Sequence, residues 1–282
     1  GGDTSNVALQ LSKFEIPVKF ITRLGNDIFG NIILNTWKKW NIDTSDVIID
    51  YSHQTGIYFA IFENPLEHKF VYKRKNSASY NYSINDAEKV DLSNLKIFHL
   101  SGISQAISKE ALESSFLLME RCKTNGIKIS YDANYRKPLW SENYYKATAL
   151  YTIRNFADIL SINIDEASII FTKGLEPEEI VRELLNLGPE IVALKLGEKG
   201  GVIGSKDGVF YGKSYPVEVA DTVGAGDSFT ASVLYGVLNE WDVSRIIDFA
   251  NYCASFVCKR VGSTVGQPTL KEVKEFLRES SK

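Results

Sequence analysis

The chain has 282 residues, enough for one large α/β domain or two ordinary ones. Hydrophobic content of 44%, charged content of 24% and a net charge of −3 are those of a globular protein, with no electrostatic footprint for nucleic acid or an anionic membrane. Three cysteines without CxxC spacing and three scattered histidines argue against a disulfide framework or a zinc centre and for a reducing, cytoplasmic setting.

Behind Gly1-Gly2-Asp3 the chain runs straight into an amphipathic stretch carrying Val7, Leu9, Leu11 and Phe14. There is no initiating Met and no signal-peptide apolar region, which points to a segment missing ahead of residue 1. Residues 18–21 read as a strand, Gly25 as the turn after it, and residues 28–40 as a helix with apolar positions at 29, 33, 37 and 40. This βα punctuation is interrupted once. Residues 55–62 and 69–73 are aromatic and β-branched, and a Pro-containing loop at 63–68 joins them into an antiparallel hairpin.

Alternation then resumes. Strands are expected at 96–100, 128–131, 158–162 and 190–196, with helices after Ser101-Gly102 and over 177–187. A glycine loop at 197–201 and small β runs at 202–203 and 209–211 follow, then a strand-like run at 216–219. An apolar helix begins near Ser228, and two more close the chain at 243–259 and 270–278. No apolar run approaches the roughly 18–20 residues of a membrane span. The expected fold is α/β, a mostly parallel sheet with helices on both faces. The body is expected over 1–54 and 76–282, with 55–75 as a small β-hairpin lid.

In such sheets ligands bind beyond the carboxyl ends of the strands. Four expected strand ends carry polar or glycine-rich residues: Asp132, Asn134 and Arg136; Asn163 and Glu166; Gly197 to Gly201; and Asp221 to Asp227. In the last, Asp221-Thr222-Val223-Gly224-Ala225-Gly226-Asp227 places a Gly-Ala-Gly turn before a helix N-terminus, a natural anion hole, beside a carboxylate. Taken alone, the stretch is equally well a strand-to-helix turn with Asp227 as a capping acid. As a set, the four ends suit phosphoryl transfer, which needs positioning, positive electrostatics and an acceptor for the attacking hydroxyl's proton. Neither a Walker A pattern nor G-x-G-x-x-G occurs.

The run 221–227 resembles the C-terminal signature of the ribokinase-like (PfkB) family of sugar kinases. Gly1-Gly2-Asp3-Thr4-Ser5-Asn6 resembles the family's N-terminal Gly-Gly motif, Asn163-Ile164-Asp165-Glu166 its N-x-x-E element, and Leu196-Gly197-Glu198-Lys199-Gly200-Gly201 its nucleotide-side loop. The matches occur in order over nearly the whole chain. The family's first strand and its acidic substrate contact would precede residue 1.

The resemblance implies ATP and Mg²⁺ as cosubstrate and metal. It implies Asp227 as the base, Gly224, Ala225 and Gly226 as the anion hole, and Gly2 and Asn6 at the sugar. Asn134, Asn163, Lys195, Gly197, Gly200, Gly224, Gly226 and Asn251 are implied at the nucleotide, and Glu166 near Mg²⁺. Asp221, or the loop 259–266, is implied to hold a monovalent cation such as K⁺, as in some relatives.

The sugar is read from Tyr58, Tyr72, Arg74 and Arg136. Two guanidiniums directed at one small substrate suggest an anionic one, because their planar forks match carboxylates. The combination resembles 2-keto-3-deoxygluconate kinases within the family. The expected activity is therefore phosphorylation of the terminal hydroxyl of 2-dehydro-3-deoxygluconate or a close epimer. A fructokinase, another neutral-sugar or nucleoside kinase, or a catalytically silent relative are the alternatives. The hairpin aromatics Tyr58, Phe70 and Tyr72 suggest pairing with a second copy's ribbon, hence a homo-oligomer.

Overall fold

The computed structural model describes residues 2–62, 68–171 and 174–279; Gly1 and most of the expected hairpin loop, 63–67, lie outside the described residues. The first helix, α1 (Asp3–Lys13), buries Val7, Leu9 and Leu11. The strand expected at 18–21 does not form there. Those residues make one isolated bridge, Lys19 to Asp43, and the strand itself is β1 (Thr22–Gly25). Its partner decides this, since β2 (Val47–Asp50) pairs with it in parallel in the register Thr22 to Val47. Between them runs α2 (Ile28–Lys39), whose N-cap Asp27 accepts from the Gly30 N–H at 2.8 Å and, through its other oxygen, from the Thr55 N–H at 2.7 Å.

The hairpin forms as expected, from β3 (Ile57–Phe62) and β4 (His68–Lys73), with Tyr58 opposite Tyr72 and Phe59 opposite Val71. Period-two alternation sorts its side chains. Tyr58, Phe70 and Tyr72 are half-buried and in ring contact, at 5.5–6.2 Å between centroids, whereas Phe59, Ile61 and Val71 are exposed. The aromatic face expected to meet a second copy is thus the inner face, and the outer face is aliphatic and phenyl.

After α3 (Ile84–Glu88) comes the main sheet: β5 (Ile97–Ser101), α4 (Gly102–Ala106), α5 (Lys109–Thr124), β6 (Lys128–Asp132), α6 (Glu142–Asn155), β7 (Ile159–Asn163), α7 (Ile164–Ile170), α8 (Pro177–Leu185) and β8 (Ile191–Lys195). It finishes with β9 (Gly201–Ser205) and β10 (Gly208–Tyr211), giving six strands in the order β10-β9-β8-β7-β6-β5. Strands β5 to β8 are parallel, and β9 and β10 antiparallel. The run at 216–219 expected as a strand has no regular structure, and the chain goes directly into α9 (Ala225–Leu238), α10 (Val243–Cys258) and α11 (Leu270–Glu279).

Both sheet faces are covered, so β7 and β8 are apolar in consecutive positions rather than alternate ones. Leu160, Ile162, Val192 and Leu194 pack on one side among residues of α5, α6 and α8; Ile159 and Ala193 pack on the other with α1, α9 and α10. Helix α9 is buried almost all round, Ser228 through Gly236, which anchors its N-terminus rigidly at the carboxyl end of the sheet. The edge of β5 away from β6 borders an apolar cavity of about 610 Å³ lined also by residues 16–22 and by Val7, Leu118 and Leu234. Among the described residues no helix is long and apolar enough to cross a membrane.

Candidate active site

A cavity of about 280 Å³ opens at the carboxyl ends of β6, β7 and β8, under the hairpin and against the N-termini of α1 and α9. Its walls bring together Gly2, Asn6, Tyr58, Tyr72, Arg74, Asn134, Arg136, Asn163, Glu166, Lys195, Gly197, Gly224, Gly226 and Asp227, all singled out in the sequence. Asp3, Phe70, Ile103, Thr222 and Val223 complete it. Ala225, Gly200 and Asn251 are not in the lining. Gly200 and Asn251 instead pack on each other, and the Asn251 amide donates to the Lys213 carbonyl at 3.0 Å.

The turn before α9 follows from its glycines. Gly224 sits at φ +89°, a left-handed conformation, and a Cβ there would stand 2.7 Å from the Ser263 carbonyl oxygen. The Ala225 N–H is occupied by the Thr222 carbonyl at 3.2 Å. Of the three residues expected to form an anion hole, that leaves the Gly224 and Gly226 amides, backed by the helix dipole. The two glycines therefore differ in a measurable way. Gly224→Ala costs about 1–3 kcal/mol from backbone strain and the Ser263 contact, read as a lower Tm. Gly226→Ala meets nothing closer than Lys195 at 3.8 Å and lies in a helix, so its Tm holds or rises; a loss of activity in this variant would then mark the turn as an anion site.

Asp227 lies in the first turn of α9 and accepts from the Asn6 side-chain amide at 2.6 Å, which ties α1 to α9 across the site. Burial between these walls pushes its pKa up to about 7; the Asn6 hydrogen bond and the Lys195 charge oppose the rise, and Asp3 and Asp132 add to it. A carboxylate so tuned accepts a proton near neutral pH, which is the property of a general base.

Asn163 and Glu166 form a capping box on α7. The Asn163 side chain accepts from the Glu166 N–H at 2.8 Å, and Glu166 accepts from the Asn163 N–H at 3.0 Å and from the Tyr135 N–H at 2.9 Å. Both Glu166 oxygens thus already hold backbone, and burial pushes its carboxyl pKa up, with Lys195 opposing. Among the described residues no group of three or more acidic, His or Cys side chains is placed to hold a metal unaided. A divalent ion here would need phosphate oxygens and water as its main ligands, which is how Mg²⁺ is usually held. Asp221 is buried and accepts from the Val223 and Gly262 N–H groups, each at 2.8 Å, so it fastens the turn to the loop at 259–266.

On the hairpin side of the cavity, the Arg74 guanidinium lies 5.1 Å from the Tyr72 ring centre and that of Arg136 lies 6.0 Å from the Phe70 ring. Among the described residues neither guanidinium has a carboxylate within ion-pair distance. Asn134, at φ +37°, makes the sharp turn between Asp132 below the floor and Arg136 on the wall.

Sequence reasoning missed Ile103 and gave Asp3, Thr222 and Val223 no role of their own within the motifs that contain them. It also left Asp132 without a partner, although Lys195 donates to both its oxygens, at 3.0 and 2.9 Å.

Known proteins resemble this chain over nearly its whole length. The model of the pfkB family carbohydrate kinases matches residues 1–270. A 5-dehydro-2-deoxygluconokinase of Clostridium botulinum is 27% identical over 285 residues, 99% of this chain and 84% of the relative. "Probable fructokinase-5" of Arabidopsis thaliana is 28% identical over 291 residues, 100% of this chain and 89% of the relative. The crystal structure of 2-dehydro-3-deoxygluconokinase from Thermotoga maritima superimposes with a TM-score of 0.90 over 99% of this chain and 90% of that one, at 24% identity, a likeness of fold.

Proposed function

Since the chain belongs to the pfkB family of carbohydrate kinases, we propose that it transfers the γ-phosphate of ATP to the terminal hydroxyl of 2-dehydro-3-deoxygluconate or a close isomer. One observation carries the choice of a sugar acid. Arg74 and Arg136, without carboxylate partners among the described residues, line the same cavity as Asp227. Half-buried cations without anions are costly to keep unless a ligand supplies the charge. A keto-deoxy sugar acid has its carboxylate at one end and a primary hydroxyl at the other, which suits a site that holds two arginines and a base together. The name of the Clostridium relative, a kinase of an isomeric keto-deoxy acid, is in keeping with this reading.

In this reading Asp227 takes the proton of the attacking hydroxyl while Asn6 holds the carboxylate in line. The Gly224 and Gly226 amides and the α9 dipole receive the negative charge that spreads over the transferring group. Tyr58 and Tyr72 flank the sugar, and Asn163, Lys195 and Gly197 lie toward the triphosphate. Mg²⁺, bound chiefly by phosphate oxygens, would neutralise charge there, with Glu166 and Asn163 nearest. Asp221 and the 259–266 loop are the candidate place for a monovalent cation.

The likeness to the Arabidopsis fructokinase supports a second reading, a neutral ketose as acceptor, in which Arg136 is retained for another purpose. A coupled ADP-release assay with ATP-Mg²⁺ and a panel of keto-deoxy sugar acids, fructose, ribose and nucleosides separates the two. The expected result is a kcat/KM for a keto-deoxy acid at least about 10²-fold above that for fructose, the worth of one or two charge-assisted contacts. Equal turnover of fructose and the acids would remove the sugar-acid reading.

A further inference from the structure

Beneath the cavity floor, Lys195 is joined to a set of buried polar groups, Asp132, Thr230 and Ser161, that the mechanism above does not use. The Lys195 ammonium donates to Asp132 Oδ1 at 3.0 Å and Oδ2 at 2.9 Å. The Thr230 hydroxyl donates to Asp132 Oδ2 at 2.9 Å, and Ser161 Oγ lies 2.8 Å from the Thr230 hydroxyl. Asp132, Thr230 and Ser161 are each about 1% exposed. The pair crosses the sheet, because Lys195 ends β8, Asp132 ends β6, and β7 runs between them.

A buried ion pair of this kind is seldom a net gain in stability, since desolvation consumes most of the attraction. Its location gives it a use. The Lys195 chain passes under the turn that leads into α9, with its Cδ and Nζ 3.8 Å from where a Cβ of Gly226 would stand. Two of the three ammonium N–H groups are taken by Asp132, and the third has no acceptor among the described residues. Burial alone would strip the charge from this amine, yet Asp132 and Glu166 outweigh it and hold the pKa above the usual lysine value. The result is a fixed cation beside the anion hole.

We propose that Asp132, backed by Thr230 and Ser161, is a positioning residue that fixes the Lys195 ammonium at the Gly226 turn, where it meets the charge of the transferring phosphoryl group. This rests on the kinase reading above. With Asp132 neutralised, the ammonium is drawn to the other buried carboxylates that feel it, Glu166 and Asp227. The ionisable groups around Asp227 are Asp3 on α1, Tyr58 on β3, Asp132 on β6 and Lys195 on β8. Losing the Asp132 charge and bringing the ammonium closer both lower the pKa of Asp227.

The test is a double-mutant cycle on the whole protein, with ATP-Mg²⁺ and the best acceptor from the panel. Asp132→Asn and Lys195→Met should each lower kcat about 10²-fold, the worth of one transition-state charge contact. The double variant should be no slower than Lys195→Met within about threefold, because Asp132 acts only through Lys195. Asp132→Asn should also move the acid limb of the rate profile to lower pH, and Thr230→Val should give a milder loss of kcat at unchanged KM for the sugar. Additive losses, or a lowered Tm with the acid limb in place, would overturn the proposal and leave the pair as a β6–β8 brace.

Nucleotide binding gives a readout free of the acceptor. Wild type should hold a non-hydrolysable ATP analogue more tightly than ADP, and Asp132→Asn should lose that preference; an unchanged ratio refutes the proposal. A wild type that binds nucleotide and turns over leaves the kinase reading standing whatever the cycle gives. One that binds neither nucleotide overturns the kinase reading and this inference with it.

Discussion

Asp227→Asn lowers kcat about 10³-fold and leaves ATP affinity within about threefold of wild type, the loss expected when a positioned general base is removed. The substitution is nearly isosteric. An Asn oxygen at this position still accepts from the Asn6 amide, now at 2.6 Å from Asp227 Oδ2, so α1 and α9 stay joined. Only proton acceptance is lost. The same residue sets the pH dependence. Because burial raises the Asp227 pKa to about 7, the base form grows as pH rises, and kcat/KM for the acceptor climbs to half its plateau near pH 7.

The stability consequence has the opposite sign. The folded pKa lies above the unfolded value, so the folded chain holds this proton longer and is favoured below the unfolded pKa. That contribution disappears as pH rises through about 7. Asp227→Asn removes the penalty of a buried carboxylate, and its Tm at pH 8 should equal or exceed that of wild type. A variant rate within tenfold of wild type, or a Tm at pH 8 several degrees lower, would contradict the assignment of Asp227 as base.

Much of the site was legible because it is local. The Gly-Ala-Gly-Asp turn, the N-x-x-E capping box and the hairpin alternation each lie within a few residues, and each is a local solution to a backbone problem. The helix over Glu142–Asn155 was not anticipated. Its buried face is Tyr145, Thr148, Ala149, Thr152 and Ile153, and two threonines among five positions blur the 3.6-residue pattern. The shift of the first strand from 18–21 to Thr22–Gly25 has a different cause, because register belongs to the partner, Val47–Asp50, whose β-branched run Val47-Ile48-Ile49 the sequence reading passed over. Contacts between strand ends were least visible. Asp132 and Lys195 are 63 residues apart and meet only once β6, β7 and β8 are laid in order. Tyr58, Phe70 and Tyr72 were seen as one face of the ribbon, but which way that face turns depends on how the ribbon sits over the sheet.

The second large effect belongs to the arginines. Arg74→Ala raises KM for a keto-deoxy sugar acid by about 10–100-fold, the worth of one charge-assisted hydrogen bond at about 1.5–3 kcal/mol, and leaves KM for ATP nearly unchanged. The separation follows from position, since Arg74 stands on the hairpin side of the cavity with Tyr58 and Tyr72. Arg136 has two roles. It faces the same cavity and stacks toward Phe70, but its guanidinium also donates to the Tyr135 carbonyl at 2.8 Å, and the Tyr135 N–H is held by Glu166. Arg136→Ala should therefore raise KM for the acid by a similar factor and also lower kcat, because it loosens the loop that is tied through Tyr135 to the Glu166 capping box. Arg74→Lys is the informative control: it keeps the charge and loses the planar fork, so it should recover only part of the affinity. Steady-state kinetics with the acid and with fructose decide the matter. If Arg74→Ala affects both acceptors equally, the arginine contributes shape and not charge recognition, and the substrate is not selected by its carboxylate.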